Sequence, residues 1–279
     1  MMYRPDLHAH TTASDGAMSP VNVVCRAVAQ GVNLLAITDH DSVDGIPEAL
    51  QTAKDVGIQL LPGVEISAGG EREVHVLGYG VRPDMPELDA LLMNMRQERR
   101  ERAQVMLEKL RTLGMEITPE ELPVSADGCI GRAHIAAALV AKGHVFDIRE
   151  AFDRYLSPGG AAFVPRQKVP VSQVIGIMRR GGLVPVLAHV GLLRLEQQTL
   201  LALLDAWQEV GLMGLEVYHP AHLSYLTHQL EGLARERGLI VTGGSDFHGG
   251  GDHHVDLGQM LEQWKTADED AKALLEWIL

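Results

Sequence analysis

Seven short apolar runs, separated for the most part by helical patterns, constrain the fold more than any other feature of the chain. They span Tyr3 to Leu7, Leu34 to Thr38, Leu60 to Ile66, Val74 to Tyr79, Leu183 to Leu187, Leu215 to Tyr218 and Leu239 to Thr242. Their continuous aliphatic character suits strands of a parallel sheet covered on both faces. Helix punctuation lies between them. In SPVNVVCRAVAQG, Ser19 is placed to cap, Pro20 takes the first helical position and Gly31 lies just past the end. IPEALQTAKDVG repeats the device with Pro47 and Gly57. Such alternation builds either a (β/α) barrel or a doubly wound sheet, and regular repetition without a glycine-rich phosphate fingerprint favours the barrel.

The rhythm breaks once, between Tyr79 and Leu183. PELDALLMNMRQERRERAQVMLEKLRTLG reads as one helix from Pro86 to a stop at Gly114, and GRAHIAAALVAKG and DIREAFDRYL as two shorter ones. SPGGAAFVPRQKVP then leads back to the strands. The expected architecture is α/β: a barrel formed by residues 1–85 and 168–279, with a mainly helical insertion over 86–167 that contributes to substrate binding. Met93, Met95 and Met106 in the long helix read as packing residues.

Composition narrows the class. A formal net charge of −13 disfavours a broad basic surface for coating nucleic acid, although a local basic pocket is compatible with it. No apolar run approaches the roughly 20 residues that span a bilayer, and the N-terminus opens on a charged strand instead of a leader. The expectation is therefore a cytoplasmic protein with no membrane association. Cys25 and Cys129 lack a CxxC spacing and read as buried, reduced thiols.

The polar residues cluster where the expected strands end. His8 and His10 end the first, Asp39 and His40 follow LLAIT, Glu65 ends LLPGV and His75 opens or lies in the fourth. His189 ends LVPVLA, Glu216 and His219 lie in GLEVYH, and Asp246 and His248 follow IVTGGS. The C-terminal strand ends of a barrel carry its active site, so these residues converge on one mouth. Imidazoles and carboxylates are metal donors by chemical type, and an i, i+2 spacing on a strand points His8 and His10 to the same side. The pattern predicts a polynuclear metal site.

DLHAHTTASDG, AITDHD, GVEIS, VHVLGYG, LAHV and GSDFHG, in this order from Asp6 to Gly249, resemble the polymerase and histidinol phosphatase (PHP) phosphoesterases. The resemblance implies a distorted, TIM-like (β/α)7 barrel holding two or three divalent ions. On the matching positions His8, His10, Glu65 and Asp246 would bind the first ion, and Asp15, His40 and His248 the second. Glu65, His75 and His189 would bind the third, with Glu65 as bridge, and the same residues would form the catalytic set. Asp39 would orient a ligand imidazole or the local backbone. Several relatives have His where this chain has Asp15. This harder donor favours Mn²⁺, the expected ion, or Mg²⁺ over Zn²⁺, which stays open. Relatives often read Ala-His-Pro where this chain has Ala188-His189-Val190.

Two metals about 3.5–4 Å apart can hold a hydroxide and stabilise both attacking and leaving oxygens of an in-line displacement, which fits phosphate ester hydrolysis. In RQERRERA, Arg96, Arg99 and Arg102 recur every three residues, and Arg132 and His134 open a later helix. Arginine forks suit phosphate, although the same helix face could be solvated, with Glu98 and Arg102 as an i, i+4 pair. The RxxR and GRAH patterns resemble the branch containing nucleoside 3′,5′-bisphosphate phosphatases and short-RNA 5′→3′ exoribonucleases.

The leading expectation is a metal-dependent phosphatase that removes the 3′-phosphate of a nucleoside 3′,5′-bisphosphate to leave the 5′-monophosphate. Arg99, Arg102, Arg132 and His134 would grip the 5′-phosphate, and His219 would bind substrate or protonate the leaving oxygen. The alternatives are a 5′→3′ exoribonuclease on short RNA, a histidinol-phosphate-type phosphatase and a non-catalytic metal or nucleotide sensor. An amidohydrolase would also use a barrel and an early HxH pair. Many of its binuclear members need a carboxylated strand-end lysine, and no Lys ends an expected strand here. A small nucleotide or short RNA is the expected partner, with no obligatory protein partner. His144, His222, His228, His253 and His254 read as exposed or structural.

Overall fold

The computed structural model describes residues 2–69, 73–122, 131–249 and 255–278; Cys129, His253 and His254 lie outside them. The chain falls into two compact units, Met1–Asp89 with Lys168–Leu279, and Ala90–Gln167. Its strands are β1 (Pro5–Asp6), β2 (Leu34–Ile37), β3 (Gln59–Gly69), β4 (Glu73–Tyr79), β5 (Val184–Leu187), β6 (Gly214–Tyr218) and β7 (Ile240–Gly243). Its helices are α1 (Pro20–Ala29), α2 (Ile46–Val56), α3 (Pro86–Thr112), α4 (Arg132–Ala141), α5 (Ile148–Ala151), α6 (Val171–Arg180), α7 (Gln197–Glu209), α8 (Ser224–Glu236) and α9 (Ala267–Leu275). No described helix is long and apolar enough to cross a membrane.

In the first unit the seven strands lie side by side in chain order. The sheet curls until the exit of β7 meets that of β1: the Leu7 N–H donates to the Gly243 carbonyl at 3.1 Å and the His10 N–H to the Phe247 carbonyl at 2.8 Å. A nearly closed seven-stranded barrel results, as expected. The expected helix signals operate. The Ser19 hydroxyl accepts from the Asn22 N–H at 3.3 Å, Pro20 starts α1, and Gly57 ends α2 in the left-handed conformation (φ 78°). Val23, Val24 and Ala27 of α1 pack with Ala49 and Ala53 of α2 against Leu35 and Ile37. Each of the valine, leucine and isoleucine side chains contributes about 1.5–3 kcal/mol by leaving water. Cys25 lies off this stripe and is exposed, which corrects the expectation of a buried thiol.

A second correction concerns strand direction. The β1–β2, β2–β3, β5–β6 and β6–β7 pairs are parallel, but β4 runs antiparallel to both β3 and β5. A parallel crossover needs a dozen or more residues, and the chain between Gly69 and Glu73 is far too short for one. Reversal brings the start of β4 to the end of the barrel where the parallel strands finish. His75 therefore pairs with Ser67 near the exit of β3, and its carbonyl accepts the Ala188 N–H beyond β5 at 3.1 Å. Tyr79, at the far end of β4, is in register with Val184 at the start of β5.

In the second unit, Ala103, Met106, Leu107 and Leu110 form one face of α3 and pack with Ile135, Ala136 and Leu139 of α4 and with Ala151, Leu156 and Ala162. After α5 the helix continues as a single π turn over Phe152–Leu156. Met95 and Met106 are buried as expected, whereas Met93 is 66% exposed and packs into no core.

Candidate metal centre

Beyond β1 the chain stays extended, with Ala9 paired to Phe247 and turned into the apolar layer while His8 and His10 turn the other way. Both imidazoles are fully buried. Their Nε2 atoms lie 3.1 Å apart. Glu65 Oε2 sits 3.4 Å and 3.3 Å from them, and Asp246 Oδ1 3.3 Å and 3.1 Å. Close passage of β7 past β1 depends on Gly244, where a Cβ would stand 2.5 Å from the Cβ and main-chain N of His8. Asp246 and His189 have positive φ, 52° and 27°, a conformation that costs a non-glycine residue on the order of 1–3 kcal/mol and collects at functional sites.

Glu65, buried at the end of the parallel part of β3, joins the two sides of the mouth. Its Oε1 lies 2.9 Å from His75 Nδ1 and 3.0 Å from His189 Nε2, and its Oε2 lies 2.9 Å from His40 Nδ1. Asp15 and His248 complete the rim, 3.3 Å apart, with His40 Nε2 and His10 Nδ1 each 3.8 Å from Asp15. Among the described residues three donor sets are close enough to share an ion: His8, His10 and Asp246; His10, Asp15, His40 and His248; and His40, Glu65 and His75. Glu65 Oε2, His40 Nδ1 and His10 Nδ1 are buried without a directed hydrogen bond. Buried polar atoms are normally satisfied. Orphaned lone-pair donors packed among others of their kind fit a divalent cation, and the oxygen and imidazole composition fits a hard to borderline one.

The titration of these groups follows from their packing. Burial would strip the proton from His8, but Glu216, Asp246 and Glu65 outweigh it and hold the ring well above the ordinary histidine range. Burial and the neighbouring His40 push His10 down. Against burial, Glu65 and Glu73 hold His75 up at about 10, and Asp15 holds His248 up at about 9. Desolvation would raise the fully buried Glu65 and, beside it, Asp15 and Asp246, yet the surrounding imidazoles keep all three well below the carboxylate range.

Other side chains fix the donors. Asp39 accepts from the Thr11 N–H at 2.7 Å, the Thr11 hydroxyl at 2.8 Å and the Ser14 hydroxyl at 2.6 Å, and so holds the backbone of the turn that carries Asp15. His219 Nδ1 accepts the Ala221 N–H at 3.1 Å, which leaves its proton on Nε2, 3.3 Å from Asp246 Oδ2. His222 is buried and structural: its Nδ1–H donates to the Val217 carbonyl at 2.8 Å and its Nε2 accepts the Gly191 N–H at 2.9 Å. His228 is exposed.

Sequence reasoning noted Glu216 at a strand end without a role, and passed over Glu73 and Lys168. Glu216 is fully buried and meets His8 Nδ1 at 2.8 Å. Glu73 lies 3.2 Å from His75 Nε2 and 3.1 Å from the Lys168 ammonium. Its signal was the i, i+2 spacing to His75 on one strand; Lys168 had none. Arg99, Arg102, Arg132 and His134 belong to the helical unit, all partly buried. There the Arg132 guanidinium lies over the Phe152 ring at 5.7 Å and His134 Nδ1 accepts the Gly131 N–H at 3.0 Å.

A profile of the PHP domain matches residues 6–157. The chain belongs to the PHP domain family. Among PHP relatives, a 5′-3′ exoribonuclease of Haemophilus influenzae is 36% identical over 89% of this chain and 91% of its own length. A 3′,5′-nucleoside bisphosphate phosphatase of Chromobacterium violaceum is 36% identical over 91% of this chain and 90% of its own. A solved structure from Chromobacterium violaceum, called an amidohydrolase and determined with bound sulfate and no metal, superposes with a TM-score of 0.82 at 34% identity, covering 99% of this chain and 97% of that one. This PHP chain is a hydrolase of phosphate esters, with clusters of His, Asp and Glu suited to metal.

Proposed function

We propose that this phosphoesterase removes the 3′-phosphate from nucleoside 3′,5′-bisphosphates, with Mn²⁺ held by His8, His10, Asp15, His40, Glu65, His75, His189, Asp246 and His248. The observation that carries the reading is the convergence on Glu65, whose two oxygens face His75 and His189 on one side and His8, His10 and His40 on the other. Bound divalent ions supply an activated water and neutralise charge developing on a phosphoryl group in displacement. The chain contributes the fixed direction of each donor. At the same mouth it offers a proton on His219 Nε2, suited to the leaving oxygen. Arg99, Arg102, Arg132 and His134 bind the second phosphate, which suits the bidentate geometry of guanidinium.

The amidohydrolase name of one structural neighbour does not transfer easily. Glu65 stands where a carboxylated lysine would bridge, and the Lys168 ammonium is paired with Glu73. A 5′→3′ exoribonuclease is the second reading, favoured by the Haemophilus influenzae relative. The net charge of −13 supports the smaller substrate, because a longer polyanion is repelled more. Mn²⁺-loaded protein offered adenosine 3′,5′-bisphosphate and a 5′-phosphorylated short RNA separates the two. Phosphate release from the bisphosphate with little attack on RNA is the expected result. Stepwise mononucleotide release from RNA, with the bisphosphate a poor substrate, would establish the exoribonuclease instead.

A further inference from the structure

We infer that Glu216 is a positioning residue of the metal centre, selecting the nitrogen that His8 presents and fixing the backbone of His189. The inference rests on the metal-centre reading above. Glu216 is fully buried, and each of its oxygens has a separate task. Oε1 accepts from His8 Nδ1–H at 2.8 Å, and Oε2 accepts the main-chain N–H of His189 at 2.6 Å.

The first bond is a statement about tautomers. A carboxylate only accepts, so when a cation takes the place of the ring's second proton, His8 keeps its remaining proton on Nδ1 and turns the Nε2 lone pair to the side where His10 Nε2, Glu65 Oε2 and Asp246 Oδ1 lie. Carboxylates placed behind metal-binding imidazoles act in this way. The second bond pins a residue whose φ of 27° leaves the ordinary allowed regions, and so determines where the His189 ring meets Glu65. A carboxylate on β6 thus ties the exit of β1 to the exit of β5. The β6–β7 register slips between Glu216 and Tyr218, and such bulges re-aim side chains beside active sites.

A counter-charge of general purpose would not need both oxygens in these directions, and glutamine tests the difference. Its amide has one accepting oxygen and one donating nitrogen. With the oxygen on the His189 N–H, the nitrogen faces His8 and forces the proton onto Nε2, against the other donors. With the oxygen on His8, the nitrogen opposes the His189 N–H.

The experiment compares Mn²⁺ affinity of wild-type protein and Glu216→Gln by calorimetry, with circular dichroism as the check on folding. Weaker binding in a folded variant, by about 10–100-fold, is expected. Equal affinity in the two proteins overturns the inference and leaves the metal-centre reading intact, whereas wild-type protein that binds no divalent ion overturns both. If Glu216→Gln does not fold, ¹⁵N-histidine spectra of Zn²⁺-loaded wild-type protein decide, with the His8 signal assigned by loss in His8→Gln. A proton on His8 Nδ1 upholds the inference, and a proton on Nε2 overturns it.

Discussion

His219 donates its Nε2–H toward Asp246 Oδ2 at 3.3 Å because its other nitrogen already accepts the Ala221 N–H. With both nitrogens so engaged, the ring has no lone pair turned to the donor cluster, and the proposed role is that of an acid. His219→Ala should retain the divalent ions and lose turnover by about 10²-fold or more, the contribution typical of a placed acid. Metal analysis beside steady-state kinetics checks this, and loss of metal in step with turnover would show that His219 acts only by holding Asp246.

Glu65→Gln keeps the shape of the bridging side chain and removes its charge. The imidazoles of His8 and His75, held up in part by that charge, can then shed their protons, so the fold should survive. Divalent metal content should fall and phosphoesterase activity disappear. Elemental analysis of the purified, folded variant gives the answer, and full metal content would remove Glu65 from the centre.

The pH dependence has a definite sign. In chelator-treated protein His75 and His248, held up at about 10 and about 9, are protonated at neutral pH. Histidines raised above their unfolded value near 6.5 lend stability that is complete below that value and fades as pH rises through the folded values. Metal ligation requires the neutral rings and so releases protons. The gap in Tm between metal-loaded and chelator-treated protein should therefore widen from pH 6.5 to pH 9. A gap that is flat or narrows over this window would contradict the assignment of these two histidines.

Gly244→Ala probes the close passage of the barrel's seam. A methyl group 2.5 Å from the His8 main chain forces β1 and β7 apart, and overpacking of this kind typically costs about 1–3 kcal/mol. Denaturant titration should show that loss together with weakened Mn²⁺ binding, since the displaced residue is a proposed ligand. Wild-type stability would mean that the seam relaxes without strain.

Much of this was legible in the chain because strand and ligand signals are local. Apolar runs marked the strands, and His8, His10, His40 and Asp246 sat directly at their exits. The reversal of β4 depended on counting the few residues between it and β3 against what a crossover needs, so His75 was read as a strand residue without a clear end. Glu216 was less accessible still. Its two bonds reach residues distant in sequence, and no spacing rule encodes which way a carboxylate turns at a bulge. The arginines of the helical unit raised the expectation of phosphate binding by type alone, since side-chain type is local and a binding geometry is not.

The register pair Tyr79 and Val184 has a bearing on how such a chain can change. Everything between these residues, including the whole helical unit, is a single excursion from the barrel whose two ends are already neighbours on adjacent strands. Lengthening or exchanging it imposes little closure entropy on the sheet. The segment can thus change in length or sequence while the strand ends that carry the histidines keep their places.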